Sequence, residues 1–269
     1  MSENSTKKFV IFGNPVEHSK SPQMQNAGFK NLNINANYEK FHLKTEKLLK
    51  KSFLEKELSG ANITVPYKEA AYIQADEVKG LALRIGAVNT YVKEDNKIIA
   101  YNTDAPGFMK AIEEFGELKT VLLLGAGGTA KAIAVALLEA NIQVTVLNRS
   151  KNRLTFFKEL GCKTATWGSF MLDSYDLIVN STSAGLKDND FPLEKRRLEN
   201  IFYNATFAFD CIYGKQTPFL QLAIKEGLKT KDGEDMLLYQ GVLAFEYFTN
   251  EKCEQDTIDA MRAGLKGQD

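Results

Sequence analysis

Residues 121–132 read VLLLGAGGTAKA: an apolar strand, a glycine turn and the opening of a helix. Residues 120–124 are almost continuously apolar, as in a strand covered on both faces. Gly125, Ala126, Gly127, Gly128 and Thr129 then let the chain turn tightly, so that backbone N–H groups at a helix N-terminus can approach a pyrophosphate. Glycine turns also simply join strands to helices, but here the flanking strand and helix supply the context a dinucleotide fingerprint requires. The next strand, residues 143–147, ends in Asn148, Arg149, Ser150 and Lys151. An NAD site usually ends that strand with a carboxylate on the ribose 2′-hydroxyl. None stands here, and Arg149 can pair a 2′-phosphate. NADP is therefore expected, against the plainer reading of an exposed basic loop.

Outward from this turn, short apolar runs alternate with helical patterns, which predicts an α/β fold with parallel sheets. Strands are expected at 8–13, 61–65, 176–180 and 204–210, and helices at 130–139, 236–250 and 256–265. Residues 87–92 and 98–101 flank a polar turn suited to a hairpin. Strand–helix alternation restarts near residue 105. That predicts a Rossmann-like NADP-binding domain over 105–239, preceded by an α/β substrate domain over 1–104.

Lys+Arg and Asp+Glu both number 34 in the 269 residues, so the formal net charge is zero. Such a balance argues against a nucleic-acid or anionic-membrane surface. No apolar run approaches a membrane span, and residues 1–8 are polar, unlike a secretory signal. Cys162, Cys211 and Cys253 are scattered, and only His18 and His42 accompany them, so neither a disulfide framework nor a metal site is expected. The chain reads as cytoplasmic, with a small-molecule substrate; a homodimer is left open.

Polar residues gather at three further strand ends: GANITVPYK (60–68), GAVNT (86–90) and YNTDAPG (101–107). Strand ends are where α/β proteins bind ligands. Earlier, FGNPVEHSKSPQMQN (12–26) sets Ser19 and Ser21 beside Pro22 and a helix start. The two hydroxyls suit capture of a carboxylate, and equally suit helix capping.

Together these segments resemble the shikimate dehydrogenase family over nearly the whole chain. The matching blocks are GNPVEHSKSP, GANITVPYK, GAVNT, NTD, GAGGTAKA, NRS, NSTS and DGEDMLLYQ, in that order. The resemblance implies NADP-dependent, reversible reduction of 3-dehydroshikimate to shikimate, on the route to chorismate and the aromatic amino acids. It implies Lys68 and Asp104 as the catalytic pair and Ser19 and Ser21 on the substrate carboxylate. Thr64, Asn89 and Gln240 would meet the ring hydroxyls, with Tyr213 nearby. The NADP site would comprise Gly125 to Thr129, Asn148 to Lys151, Thr182 and Gly233. Gln240 in a C-terminal helix implies that residues 240–269 return to the first domain and close a cleft. Gln25 and Phe248 depart from the family's frequent His and Trp, which touches packing or cleft shape rather than chemistry. Ketone reduction needs a proton donor where negative charge grows on oxygen, and Lys68 as an ammonium meets that need. Which member of the pair formally carries the proton is left open, because close partners titrate as a unit. The alternatives are a quinate or dual quinate/shikimate dehydrogenase, and a catalytically silent binder of NADP or a metabolite.

Overall fold

The computed structural model of the chain describes residues 5–267; residues 1–4, the start of the polar N-terminal stretch, and 268–269 lie outside the described residues. Two compact units divide the chain: Met1–Gly107 with Leu238–Asp269, and Phe108–Leu237.

The first unit carries β1 (Lys7–Gly13), α1 (Ser21–Asn31), β2 (Ala36–His42), α2 (Leu49–Glu55), β3 (Gly60–Ile63) and α3 (Lys68–Gln74). There follow β4 (Glu77–Val78), α4 (Ala82–Ile85), β5 (Thr90–Glu94) and β6 (Lys97–Tyr101). The chain leaves this unit within α5 (Asp104–Ile112), re-enters it within α10 (Glu234–Thr249) and ends in α11 (Gln255–Lys266). The sheet order is β2-β1-β3-β5-β6-β4. β2, β1 and β3 are parallel, as expected, whereas β5 pairs antiparallel with β3 and with β6, so this sheet is mixed. The β5–β6 reversal is the expected hairpin: Asp95 and Asn96 hold φ of 44° and 66°, the backbone of a two-residue turn. Val10, Phe12, Ile63, Tyr91 and Ile98 bury against Phe53 and Ala71 of α2 and α3. Phe9, next along β1 and so on the opposite face, meets Phe29 and Phe248 at 5.1 and 4.8 Å.

The second unit carries β7 (Thr120–Leu124), α6 (Gly128–Glu139), β8 (Gln143–Asn148), α7 (Thr155–Leu160), β9 (Lys163–Thr166) and β10 (Tyr175–Asn180). α8 (Lys195–Phe202), β11 (Ala205–Asp210), α9 (Pro218–Lys225) and β12 (Lys229–Lys231) complete it. All its strand pairs are parallel, in the order β12-β11-β10-β7-β8-β9. Chain order reverses between β7 and β10, and doubly wound sheets bind ligands at the carboxyl ends of strands at such a point. Val121 to Leu124 are wholly buried, which accounts for their unbroken apolar run. Among the described residues, no helix is long and apolar enough to cross a membrane, and no cluster of three or more His, Cys, Asp or Glu could hold a metal ion.

Candidate active site

In the first unit, three turns converge on one ion pair. Lys68 opens α3 and Asp104 opens α5; Lys68 Nζ donates to Asp104 Oδ2 at 2.5 Å, with the side chains only 11% and 6% exposed. Asn102 places the carboxylate: its Oδ1 accepts the N–H groups of Asp104 and Ala105 at 3.0 and 3.3 Å, capping α5. Its Nδ2 donates to Ala87 O at 2.9 Å, and Val88 N donates to Lys68 O at 2.9 Å, so the GAVNT turn is tied to both members of the pair. Asn89 Nδ2 donates to Asp104 Oδ1 at 2.8 Å and reaches Gln240 Oε1 at 3.3 Å. Gln240 comes that close because a glycine faces it: a Cβ on Gly107 would stand 2.7 Å from Gln240 N. Lys68, Asp104, Asn89 and Gln240 are thus brought together. Thr64 lies just past β3, its N–H donating to Phe12 O at 2.8 Å and its methyl against Gly13.

Ser19 and Ser21 are buried side by side, Ser19 Oγ donating to Ser21 Oγ at 3.2 Å. Lys20, not a serine, stands at the N-cap of α1, and no side chain caps it. Ser19 Oγ does accept the Ser21 N–H, at 3.3 Å.

In the second unit, Gly125 holds φ of +107°, and a side chain there would meet Ser181 Oγ at 2.8 Å, so the turn after β7 takes glycine for both conformation and space. Gly127 is the N-cap of α6, no side chain caps this end, and a Cβ on it would meet nothing within 4 Å. An uncapped helix N-terminus beneath open space fits a phosphate. At the end of β8, Asn148 Nδ2 donates to Ser150 O at 3.0 Å, and Arg149 and Lys151 are exposed. These cations, with no carboxylate among residues 148–151, suit a 2′-phosphate.

The carboxyl ends of β10 and β11 form a second buried cluster that the strand pattern does not announce. Asp210 Oδ1 accepts from Asn180 Nδ2 and Ile212 N at 3.1 and 3.0 Å, and Oδ2 from Thr217 Oγ1 at 2.6 Å. Burial pushes its carboxyl up to about 6, against the pull of these donors. Asn180 Oδ1 in turn accepts from Thr182 N and Oγ1 at 3.1 and 2.7 Å. Ile212 O accepts from Gly233 N at 3.1 Å. Thr182 and Gly233 therefore hang on one hydrogen-bonded frame, and Tyr213 follows Ile212 in the loop after β11. A polar residue ending each of two buried strands was its only signal in the sequence.

Residues 11–91 match the shikimate dehydrogenase substrate binding domain, 109–210 the shikimate / quinate 5-dehydrogenase family and 233–263 the shikimate 5′-dehydrogenase C-terminal domain. A shikimate dehydrogenase (NADP(+)) of Helicobacter hepaticus is 44% identical over 256 residues, covering 94% of this chain and 95% of that one. The chain belongs to the shikimate dehydrogenase family. A Desulfitobacterium hafniense shikimate dehydrogenase (NADP(+)) is 38% identical over 272 residues, 96% of this chain and 97% of its own length. The shikimate 5-dehydrogenase of Thermus thermophilus, solved with NADP(H) and shikimate, superposes with a TM-score of 0.84 at 34% identity, covering 97% of this chain and 99% of that one. Against the shikimate dehydrogenase pattern, Gln25 is wholly buried, and its Nε2 donates to Gly241 O at 2.9 Å. Phe248 lies in ring contact with Phe9 and Tyr38, at 4.8 and 6.4 Å. Phe248 is accommodated as packing, whereas Gln25 leaves its Oε1 buried without a hydrogen-bond partner.

Proposed function

We infer that this chain catalyses the reversible, NADP-dependent reduction of 3-dehydroshikimate to shikimate, a step toward chorismate and the aromatic amino acids. The observation that carries the chemistry is the buried Lys68–Asp104 pair, because a lysine ammonium held almost out of water is a proton donor of fixed position. NADPH, when bound, supplies the hydride. Lys68 gives the proton from Nζ to the carbonyl oxygen as charge develops there, and Asp104 holds the ammonium in place. Asn89, Gln240, Thr64 and Tyr213 take the ring hydroxyls, and the paired hydroxyls of Ser19 and Ser21 take the carboxylate. Residues 125–129 with Thr182 and Gly233 hold the dinucleotide, and residues 148–151, led by Arg149, its 2′-phosphate. In this reading the first domain is 1–104 completed by 240–269, and the second is 105–239. Burial pushes the Cys162 and Cys253 thiols up to about 11 and 12, which leaves them poor nucleophiles; a cytoplasmic location belongs to this reading.

The test is absorbance at 340 nm with the purified chain, shikimate and NADP. A rise in NADPH with kcat/KM well above that for quinate with NAD is expected. No rise, or a preference for quinate, sinks the reading.

A further inference from the structure

Asn89 is oriented by the main chain just before Asp104 and by side chains of β3 and β5. The main-chain N–H of Thr103 donates to Asn89 Oδ1 at 2.8 Å, which turns Nδ2 toward Asp104 Oδ1. The Thr90 hydroxyl also donates to Asn89 Oδ1, at 3.0 Å. It must donate there, because an amide oxygen only accepts, while its own oxygen accepts from Asn62 Nδ2 at 3.1 Å. The Asn62 amide is held in turn: Nδ2 also donates to Asn89 O at 3.2 Å, and Oδ1 accepts from the Tyr38 hydroxyl at 2.7 Å. Burial raises the Tyr38 phenol well above its ordinary value, so it stays a donor. Tyr38, Asn62, Thr90 and Asn89 are each 5% exposed or less.

We propose that Thr90 and Tyr38 are positioning residues for the acid–base pair: they belong to a one-way series of donors, Tyr38 to Asn62 to Thr90 to Asn89, that ends on the carboxylate of Asp104. Each member fixes the next, since reversing either amide would set oxygen against oxygen or donor against donor. In a low-dielectric interior such bonds polarise one another. Asp104 is thereby gripped from both sides, Oδ1 by Asn89 and Oδ2 by Lys68. Buried polar groups are commonly just satisfied. This series differs in ending on the ion pair rather than on backbone. The proposal rests on Lys68 and Asp104 being the acid–base pair.

The experiment compares Thr90→Val, Thr90→Ser, Tyr38→Phe and Lys68→Ala by steady-state kinetics and thermal melting. Valine keeps the shape of threonine and loses the hydroxyl; serine keeps the hydroxyl and loses the methyl. Thr90→Val is expected to lower kcat about five- to tenfold, the effect of one buried hydrogen bond, with KM for shikimate changing less than about threefold. Thr90→Ser keeps kcat within about twofold of the parent even where it melts lower, because a missing methyl is a packing loss. Tyr38→Phe lowers kcat several-fold, and the double variant with Thr90→Val is no worse than about the poorer single one, as members of one series are not additive. If Thr90→Val and Tyr38→Phe both turn over at the parent rate while Lys68→Ala is inactive, the proposal is overturned. It is equally overturned if Thr90→Ser loses as much kcat as Thr90→Val. An active Lys68→Ala is a separate result, which removes the acid–base assignment beneath it.

Discussion

Lys68 and Asp104 meet in a place where water screens them little, so losing either leaves the other stranded. Lys68→Ala should lower kcat by roughly 10²–10⁴, the usual worth of a positioned acid or base, and shift substrate KM much less. Parent-like turnover of that variant is the contrary result. Removing both hydroxyls with Ser19→Ala and Ser21→Ala should act the other way. A remote carboxylate is held throughout the reaction, so KM for shikimate rises, by roughly ten- to a hundredfold for each hydroxyl–carboxylate bond lost. A double variant that binds shikimate as well as the parent would return both serines to a local turn. On the cofactor side, Arg149 is exposed and presents a fork of donors. Arg149→Asp should erase or invert the NADP preference in kcat/KM, by removing an attraction and adding a like charge. The loss with NADP should ease as salt rises, since screening works at surfaces. An unchanged NADP/NAD ratio would move the role to Lys151.

Between residues and the whole lie the elements, and here glycine decides a crossing. α5 and α10 approach at Gly107, where a methyl would sit 2.8 Å from Gln240 Cβ. Gly107→Val should therefore displace Gln240, lowering both the melting temperature and kcat; a variant that melts and turns over like the parent would show the crossing to be slack. Legibility followed the same physics. β7 was plain because burial on both faces demands an unbroken apolar run, and Gly125 behind it holds a φ that favours glycine. β2 was not, because it lies at a sheet edge with Tyr38 its one fully buried residue, and Ala36–His42 shows no apolar period. β4 and β12, two and three residues long, are too short for any period to show. The site divided likewise. Lys68, Asn89 and Asp104 stand in polar clusters at strand ends, where position alone suggests chemistry. Tyr38, Asn62 and Thr90 act through partners up to 28 residues away, a pairing that only folding reveals.

Over the whole molecule, pH reads out a charge buried without a cationic donor among its hydrogen-bond partners. Asp210 has its carboxyl raised from 3.8 to about 6, so between those values the folded state holds a proton that the unfolded chain has lost. Stability from this group is therefore greatest below about pH 4 and declines as pH rises to about 6, by roughly 3 kcal/mol for some two units. Asp210→Asn keeps an acceptor for Ile212 and Asn180 and removes the charge. Its melting temperature relative to the parent should climb from pH 4 to 6 and level off above; a flat difference would mean that Asp210 carries no such penalty. Another property of the whole comes from the split first unit, whose 5–107 portion needs α10 and α11 to cover it. Phe29 meets Phe245 at 4.9 Å and Phe9 meets Phe248 at 4.8 Å, so each ring pair joins opposite ends of the chain. A ribosome makes residues 108–237 between the two portions, which at about 5–20 residues per second takes roughly 6–26 s. Throughout that interval the nascent N-terminal sheet lacks Phe245 and Phe248 on one face, whereas the second unit needs nothing made after residue 237 to complete its strands. Residues 5–107, made before the second unit, are thus finished after it.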